Sequence, residues 1–565
     1  MTDMTVLQGS AASPGIGEGP AFVLRVEEPE LPELEEPHAA FLAAADTATN
    51  QLTELATAAE SAGLAEAGEI LRAQAMMAED PMLADEVKSR LAAGAGIGEA
   101  LDGAVAQIAE ALRNSGSEYL AERAADVGEI AKRIRFAIAG VVPAGLSDIT
   151  DPAVVIARAL TAADTAAMNP ELVTGFVTEE GGPTGHVAVI ARALGIPAAV
   201  AVDGATSAVE TGEHVIVDGG AGTSIIRPDD ETVEEYVAKA AAHRKKMEAA
   251  EQYRGKAIGF GDRKMSIAAN VGSPDDIGIA TAAGADGVGL FRTEFLFLDA
   301  DEPPSEDKQV EVYREAVESF DAPVVIRTFD IGGDKPAPYL NLPEEENPFL
   351  GVRGMRLYEA EWDLALSQAR SLLRAATAGE LWVMAPMVAD VTDAAKMKEL
   401  FDEAAKALDA EGLEHGSVKL GVMVEVPSAA LNAAALANHV DFFSIGTNDL
   451  TQYTVAVDRT SAPLARYLDA AEPAVLKLCA ETARAGAAAG VSVSVCGEAA
   501  SDPGLALLFA AMGMDKLSVN APAVNLIKQT VAEADPAAIV PVLKKCLAAE
   551  SAGDVRQLLA GLQGD

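Results

Sequence analysis

The chain has few cysteines and no long apolar run. Its three cysteines, Cys479, Cys496 and Cys546, show neither metal-ligand spacing nor a disulfide framework, which is typical of a reducing compartment. No apolar run reaches the roughly 18 residues that a membrane span needs, and Asp3 stands where a secretion signal would carry basic residues. We therefore expect a cytoplasmic protein that is neither secreted nor inserted into a membrane.

Aromatic residues and positive charges are also scarce. Aromatics make up only 4% of a chain that is 50% hydrophobic and rich in alanine, which favours α-rich or α/β packing over an aromatic-rich β-sandwich. The 42 basic residues face 87 acidic ones, so the formal net charge is -45. Such a surface repels nucleic acid and anionic lipid, and a small anionic substrate would need a local pocket of arginines. Solubility or salt adaptation is an alternative explanation of the acidity.

The N-terminal half changes pattern twice. A length of 565 residues predicts about three or four domains. Residues 5–25 show a strand, turn and strand pattern, residues 38–140 show the three- and four-residue apolar spacing of four or five helices, and residues 152–227 return to short β runs. We predict an α/β domain over residues 1–30 and 145–230, interrupted by a helical domain over residues 31–144.

The C-terminal half alternates short apolar runs with helical segments. A charged stretch without glycine or proline before Gly255 predicts a linker helix within residues 231–258. Eight β runs follow within residues 259–565, and eight βα units predict a TIM barrel. They are Ser266–Val271, Gly287–Phe291, Val324–Thr328, Trp382–Pro386, Leu420–Val426, Phe442–Gly446, Val491–Gly497 and Leu517–Ala521. The alternative is an open, doubly wound sheet.

One histidine lies in an unusual setting. Of six histidines, His186 follows the glycine-framed stretch Gly181-Gly182-Pro183-Thr184-Gly185 and precedes an alanine-rich helical pattern. Glycines let the backbone approach a bulky anion, and a helix that begins after His186 would direct its free N–H groups at that anion. We interpret His186 as a nucleophile that accepts a phosphoryl group. The alternative is an ordinary buried or solvated histidine.

Polar residues follow several of the predicted barrel strands, where the reacting groups of TIM barrels lie. Guanidinium groups suit phosphate and carboxylate oxygens, and carboxylates suit a hard cation. The sequence therefore predicts a site for an anion and a cation at this end of the barrel. The residues that follow the strands are Arg292, Thr293 and Glu294; Arg327, Asp330 and Lys335; Glu425; Asn448, Asp449 and Arg459; and Cys496 with Glu498.

Two of these carboxylates, and the cysteine, have specific predicted roles. Glu425 and Asp449 follow adjacent strands and offer the one or two carboxylates that Mg²⁺ prefers. The alternative is that both simply pair with Arg292 and Arg327. Cys496 lies at a strand end between charged loops, where a thiol can pass a proton to or from a substrate carbon. The alternative for Cys496 is a buried core residue.

Several long motifs resemble the Enzyme I family of the phosphoenolpyruvate-dependent sugar phosphotransferase system. Two of them lie in the N-terminal part: Ala12-Ser13-Pro14-Gly15-Ile16 and Glu122-Arg123-Ala124-Ala125-Asp126-Val127. The others cover residues 181–186, 289–297, 327–335, 347–353, 421–427, 445–453 and 496–498. The resemblance thus spans the chain and includes the histidine loop and the polar strand ends.

The resemblance implies phosphoryl transfer from phosphoenolpyruvate to the active-site histidine and then to a histidine of the small phosphocarrier protein HPr. His186 matches the phosphorylated residue, and Cys496 matches the residue that protonates the enolate at C3. Glu425 and Asp449 match the Mg²⁺ ligands. Thr165 matches a residue that hydrogen-bonds the histidine, and Lys335 and Arg353 lie in matching segments with supporting roles. The positions that bind phosphoenolpyruvate match Arg292, Arg327, Asn448, Asp449 and Arg459.

The resemblance also implies roles for whole domains. The α/β domain would carry the phosphohistidine and swing between sites, the helical domain would dock HPr, and the barrel would form a homodimer. The docking positions match Gln74, Met76, Met77 and Asp80. Two residues depart from the family pattern: Gly185 stands where a serine or similar residue is common, and Gln74 stands where many members carry a histidine.

Two other functions fit part of this pattern. One is a dikinase or synthase that uses phosphoenolpyruvate and a swivelling histidine domain, but such enzymes need an ATP-binding domain, and no glycine-rich nucleotide fingerprint is present. The other is a silent regulator that only binds HPr-like proteins, which would not need a charged barrel mouth. Pyruvate release with and without HPr distinguishes all three functions.

Overall fold

The computed structural model divides the chain into two compact units, Met1–Lys245 and Lys246–Asp565. Each unit has its own fold. The residues that the structure describes are 4–25, 29, 31–61, 65–113, 118–141, 145–146, 149–161, 164, 168–169, 171–182, 187–188, 191, 194–298, 302–333, 337, 339–340, 342–343, 345–459 and 461–563.

The first unit contains an eight-stranded mixed sheet. Its strands are β1 (Thr5–Gln8), β2 (Ser10–Ser13), β3 (Ile16–Leu24), β4 (Ala153–Ala157), β5 (Val173–Thr178), β6 (Ala198–Val200), β7 (His214–Asp218) and β8 (Thr223–Ile226). They are ordered β1-β8-β7-β3-β4-β5-β6-β2, and β3 to β6 run parallel at the centre. A short helix, Ala205–Ala208, follows β6. The sequence pattern did not predict β8, which pairs with β7 across a tight turn.

A bundle of five helices is inserted between β3 and β4. The helices are Pro37–Ser61, Ala65–Ala78, Pro81–Ala92, Ile97–Arg113 and Glu118–Ala139. Strands β3 and β4 are neighbours in register, with Phe22 opposite Val155, so the chain leaves the sheet and returns beside the strand that it left. Apolar residues at helical spacing, such as Phe41, Leu101 and Ile134, form the buried core of the bundle. The predicted α/β fold with an inserted helical bundle is therefore confirmed.

A long polar helix, Asp230–Glu251, follows this sheet. It is shorter than the stretch predicted from composition, because the backbone turns at Tyr253–Lys256 and Gly255 adopts a positive φ of 64°. The carboxyl-terminal end of the helix is held by hydrogen bonds within the second unit. The Asn525 amide donates to Glu251, and the Tyr253 hydroxyl donates to Glu533 at 3.0 Å. The buried Lys528 ammonium donates to the carbonyl oxygen of Lys256.

The second unit is a closed parallel barrel. Its strands are β10 (Arg263–Val271), β11 (Val288–Phe291), β12 (Val324–Arg327), β13 (Leu381–Ala385), β14 (Lys419–Val424), β15 (Phe442–Ile445), β16 (Ser492–Val495) and β17 (Lys516–Val519). Strand β10 pairs in parallel with both β11 and β17, which closes the ring. All eight predicted runs are barrel strands, so the TIM barrel is confirmed and the open sheet is wrong. An additional strand, β9 (Ile258–Phe260), forms an unpredicted hairpin with β10.

Helices surround the barrel on its outer side. They are Asp275–Ala282, Phe295–Leu298, Glu306–Glu318, Trp362–Ala375, Val391–Glu411, Pro427–Leu431, Ala433–Leu436, Thr447–Val455, Pro473–Ala489, Pro503–Met512, Val524–Glu533, Pro536–Ala548 and Ala552–Gln563. Short 3-10 turns occur at Pro348–Leu350, Gly354–Arg356, Ala462–Tyr467, Glu498–Ser501 and Ala521–Ala523. None of the helices within the described ranges is both long and apolar enough to cross a bilayer.

The barrel interior has an apolar layer with a charged cluster at its amino-terminal end. The layer consists of Leu290, Val325, Met384, Met423, Phe442 and Cys496. At the amino-terminal end, the ammonium groups of Lys419 and Lys516 lie 4.3 and 4.9 Å from the centre of the Trp382 ring. The Trp382 indole N–H donates to Glu380 at 2.8 Å. Burial lowers the pKa of Lys516 to about 8, although the Glu380 charge acts in the opposite direction.

Replacing Lys516 by methionine is expected to stabilise the barrel near neutral pH. Below pH 8 the folded and unfolded states both hold the proton, so folding buries a charge. Between the folded pKa and the unfolded value of 10.5, the folded state loses its proton first, and stability rises with pH. The melting temperature of Lys516→Met should exceed that of the wild type by about 3 °C at pH 7 and match it near pH 10. Calorimetry of both proteins tests this, and a difference that does not change with pH would contradict it.

Candidate active site at the mouth of the barrel

The predicted polar residues meet at one mouth of the barrel. Because all eight barrel strands are parallel, their carboxyl ends face the same side. The residues at or after these ends include Arg292 and Glu294 after β11, Arg327 at the end of β12 and Asp330 after it, Glu425 after β14, Asn448 and Asp449 after β15, and Cys496 after β16. The mouth therefore combines four kinds of group: guanidiniums, carboxylates, an amide and a thiol.

Two arginines are held by two acidic residues beneath the mouth. The Arg327 guanidinium lies 3.0 Å from a Glu294 oxygen and 3.4 Å from an Asp330 oxygen. Asp330 also accepts two hydrogen bonds from Arg353, at 2.8 and 3.1 Å, so one buried carboxylate bridges both guanidiniums. Burial alone would raise the pKa of Asp330, but Arg353 and Arg327 hold it below its ordinary value. The carboxylate is therefore charged and fixes the directions of both arginines.

A buried glutamine joins the strand ends behind these arginines. Gln368, on the inner face of helix Trp362–Ala375, is 1% exposed. Its amide N–H groups donate to the hydroxyls of Thr293 and Tyr313, and its carbonyl accepts from the Phe329 N–H at 3.0 Å. The Thr293 hydroxyl in turn donates to the Arg327 carbonyl. The segments that carry Arg292 and Arg327 are therefore tied together by satisfied, buried hydrogen bonds.

Glu425 and Asp449 form a buried acidic pair. Glu425 is 1% exposed and accepts from the N–H of Met387, whose left-handed backbone (φ 57°) directs the N–H at the carboxylate. Burial, and then the charge of Asp449, raise the pKa of Glu425 well above its usual range. Asp449 is 8% exposed, and within the described residues its Oδ1 atom has no hydrogen-bond partner. Two repelling carboxylates with an unused oxygen match a site for a hard divalent cation.

The structure does not support the alternative that these carboxylates simply neutralise Arg292 and Arg327. Arg327 pairs with Glu294 and Asp330, and Asp449 pairs with Arg459 at 3.2 Å. Within the described part of the chain no group of three or more histidine, cysteine or acidic side chains is placed to hold a metal. A pair of carboxylates is nevertheless enough for Mg²⁺, which takes its other ligands from water and substrate oxygens.

Close packing at two glycines shapes this part of the mouth. A Cβ atom on Gly446 would lie 3.1 Å from Glu425, and one on Gly497 would lie 1.9 Å from the Thr447 hydroxyl. Side chains at these positions would displace the loops that follow β15 and β16. The side-chain oxygen Oδ1 of Asn448 accepts from the backbone N–H of Glu498 at 3.0 Å, which joins the two loops and fixes the Asn448 amide.

Cys496 lies at the boundary between the apolar interior and the charged mouth. It is 2% exposed and contacts the apolar layer of the barrel, as the core interpretation requires. Burial raises the pKa of the Cys496 thiol to about 11, and Arg327 and Arg292 are close enough to affect it. The thiol therefore keeps its proton at neutral pH while lying beside the arginines, so the two interpretations of Cys496 are compatible.

Comparison with known proteins agrees with this geometry. Models of phosphoenolpyruvate-utilising enzymes match the chain: the PEP-binding domain over residues 246–536, the mobile domain over 149–222 and the N-terminal domain over 8–123. The phosphoenolpyruvate-protein phosphotransferase of Haloferax volcanii is 42% identical over 506 residues, 89% of this chain and 88% of its own. The protein of that name from Streptomyces coelicolor is 43% identical over 495 residues, 87% of this chain and 86% of its own. The one from Priestia megaterium is 37% identical over 560 residues, 97% of each chain. This chain belongs to the phosphoenolpyruvate-protein phosphotransferase family.

Family membership confirms three predictions made from the sequence. The resemblance to phosphoenolpyruvate-protein phosphotransferases holds over most of the chain, and the class of enzyme follows from it. The combination of a PEP-binding barrel with an α/β mobile domain agrees with the fold.

The structure places only some of the residues predicted for the phosphotransferase reaction. Arg292, Arg327, Arg353, Glu425, Asn448, Asp449, Arg459 and Cys496 come together at the barrel mouth. His186, Thr165 and Lys335 lie outside the described residues. Arg292 is exposed, and among the described residues its guanidinium has no ion-pair partner, which leaves it available to an anion.

The four predicted docking residues of the helical bundle differ in exposure. Met76 is 75% exposed, whereas Gln74 is only 4% exposed and Met77 packs against the core of the bundle. The Asp80 carboxylate accepts from the N–H of Met82 at 2.8 Å and caps helix Pro81–Ala92, so this residue has a structural role. Their predicted contact with HPr stays a prediction, and Met76 is the best placed of the four to make it.

Several residues that build the site have no role that their sequence positions predict. Glu294 and Asp330 follow strands, but their pairing with Arg327 and Arg353 depends on loop geometry. Gln368 carried a usable signal, since it is a polar residue within the buried stripe of helix Trp362–Ala375, between Ala365 and Leu372. A polar residue in such a stripe is usually hydrogen-bonded to something specific.

Proposed function

We propose that this chain transfers the phosphoryl group of phosphoenolpyruvate to its own His186 and then to a histidine of the phosphocarrier protein HPr. The observation that supports this most directly is the barrel mouth, where two fixed arginines, Arg327 and Arg353, lie with a buried acidic pair and a protonated thiol. This reaction would be the first step of a sugar phosphotransferase system.

The arginines would bind the substrate and neutralise its charge. Phosphoenolpyruvate carries a phosphate and a carboxylate, both of which accept paired hydrogen bonds from guanidinium groups. We assign Arg292, Arg327 and Arg459, with the Asn448 amide, to these oxygens. Because Arg327 is already held by Glu294 and Asp330, it needs little reorganisation when negative charge shifts during the reaction.

Glu425 and Asp449 would hold Mg²⁺. A bound Mg²⁺ supplies a positive charge that polarises substrate oxygens. The unused Asp449 oxygen and the raised pKa of Glu425 are the two features of this pair that a divalent cation would satisfy. Arg459 pairs with Asp449 through a single contact at 3.2 Å, so its guanidinium keeps other N–H donors for the substrate.

The chemistry needs one nucleophile and one acid. The neutral imidazole of His186 attacks phosphorus in line, an N–P bond forms, and the bond between phosphorus and the enol oxygen breaks. The resulting enolate takes a proton at C3 from the Cys496 thiol, which gives pyruvate and leaves a thiolate that recovers its proton from solvent. The raised pKa of Cys496 keeps this proton available at neutral pH.

The remaining partners follow from the same family assignment. We propose that HPr docks on the helical bundle near the exposed Met76 and that two chains associate through their barrels. The three cysteines are all buried and free, which agrees with a cytoplasmic reaction.

Mass spectrometry of the protein after incubation with phosphoenolpyruvate and Mg²⁺ tests the proposal. We expect one phosphoryl group, on His186, and its removal when HPr is added. Pyruvate should be released in about one equivalent without HPr, and with HPr in further equivalents that match the amount of HPr added. A phosphoryl group on another side chain, or the absence of pyruvate release, would contradict the proposal. The second result would instead favour a silent HPr-binding regulator.

A further inference from the structure

An aromatic ring lies against two of the arginines at the barrel mouth. Phe349 belongs to the short turn Pro348–Leu350, which lies beyond β12. The guanidinium carbons of Arg353 and Arg459 lie 5.7 and 5.4 Å from the centre of its ring. Both distances are within the range in which a cation is attracted to the negative face of an aromatic ring. The Phe349 ring therefore makes cation–π contacts with two guanidiniums that come from different loops.

The backbone around Phe349 is fixed from three sides. The Tyr453 hydroxyl donates to the Phe349 carbonyl at 2.5 Å. Arg356 donates to the next two carbonyls along the chain, at 3.0 and 3.1 Å. The Glu345 carboxylate accepts from the N–H of Val352. A Cβ atom on residue 351 would lie 1.8 Å from the Glu345 carboxylate, so a side chain there would displace this carboxylate from the Val352 N–H. The ring thus stands on a rigid turn.

The two arginines depend on the ring to different degrees. Arg353 is 4% exposed and makes a two-point bond with Asp330, so it is held without the ring. The Arg459 side chain is 30% exposed, and its ion pair with Asp449 is a single contact at 3.2 Å. A long arginine side chain with one weak contact samples several rotamers, and ordering it on binding an anion reduces affinity. The ring is the second contact that restricts Arg459.

We propose that Phe349 is a positioning residue that holds the Arg459 guanidinium at the mouth of the barrel for the anionic substrate. This inference rests on the proposed function, because it takes phosphoenolpyruvate as the anion. The ring restricts Arg459 before the substrate arrives, so its loss should weaken binding more than the chemical step. Loss of the ring should have little effect on folding, since Phe349 is only partly buried.

Kinetics of three variants test this role. Phe349→Leu and Phe349→Met remove the ring but keep an apolar side chain, and Phe349→Tyr keeps the ring. We expect the KM for phosphoenolpyruvate to rise about tenfold in the first two variants, with kcat within about threefold of the wild type. The tyrosine variant should recover the KM to within about twofold. Melting temperatures equal to that of the wild type in all three variants, and the same rise in KM in the leucine and methionine variants, would exclude a folding defect.

A double-mutant cycle shows whether the ring acts through Arg459. Binding of phosphoenolpyruvate is measured by calorimetry on the full chain carrying His186→Ala, in which no phosphoryl group can be transferred to that histidine. Removing the ring should weaken binding about tenfold when Arg459 is present and less than about threefold when Arg459→Lys has removed the planar guanidinium. The inference is wrong if the loss is the same in both backgrounds, or if Phe349→Tyr is as impaired as Phe349→Leu. Failure of the wild type to become phosphorylated would instead refute the proposed function.

Discussion

Replacing His186 by alanine is expected to abolish incorporation of radiolabel from phosphoenolpyruvate, with a loss of more than about a thousandfold. The His186 imidazole is the one group of this chain that bonds to phosphorus in the proposed reaction, and alanine offers no substitute. Label incorporation is measured on denatured protein under alkaline conditions, which preserve phosphohistidine and remove bound substrate.

Because the chain has two units, the effect of His186→Ala on labelling can be separated from its effect on substrate binding. His186 falls within the unit Met1–Lys245, whereas the barrel mouth that we propose binds the substrate lies in the unit Lys246–Asp565. Binding of phosphoenolpyruvate to His186→Ala should therefore stay within about twofold of the wild type. His214→Ala is the matched control, because His214 is an exposed histidine of the same unit, at the start of β7. Normal labelling of His186→Ala, or loss of labelling in His214→Ala, would show that the acceptor is misassigned.

The barrel could be predicted from sequence because each buried parallel strand is a short apolar run between helical segments. All eight runs became strands, and their ends differ from the predicted ends by a few residues at most. Strands β8 and β9 were not predicted. Their shortness alone does not explain this, because five of the predicted barrel strands also have only four residues. Both are defined by pairing with a neighbouring strand.

The site could be predicted only as a collection of residues. Parallel strands bring their carboxyl ends together, so Arg327, Glu425 and Asp449 were expected at one mouth, and they are there. Their pairings depend on loop geometry to within an ångström, which sequence spacing does not encode. Arg327 pairs with Glu294 and Asp330, and Glu425 accepts from a strained backbone N–H instead of from an arginine.

The helical bundle shows the same limit in a different form. The family resemblance predicts a docking segment within residues 74–80. The position of a residue in a motif does not reveal whether its side chain faces outward. In the structure Gln74 is buried and Asp80 caps a helix. The departure from a histidine at position 74 therefore concerns a residue in the interior of the bundle, where burial limits direct contact with a partner.

Replacing Asp330 by asparagine is expected to impair both activity and stability. The substitution keeps the shape of the side chain but leaves the guanidiniums of Arg327 and Arg353 buried beside each other without their shared carboxylate. Removing one partner of a buried ion pair commonly lowers the free energy of unfolding by about 3 kcal/mol or more. Misdirection of Arg327 should lower kcat/KM for phosphoenolpyruvate by about a hundredfold.

The pH dependence of this loss identifies its electrostatic origin. The folded-state pKa of Asp330 lies below the ordinary value of 3.8, so its contribution to stability is complete above that value and is lost as the pH falls through the folded pKa. The difference in unfolding free energy between wild type and Asp330→Asn should therefore be largest at pH 7 and shrink towards pH 3, as measured by urea unfolding. Asp321→Asn is the matched control, since Asp321 is exposed and makes no ion pair among the described residues. If the loss were equal at both pH values, the defect would come from the altered shape of the side chain, and Asp330 would not hold the arginines by its charge.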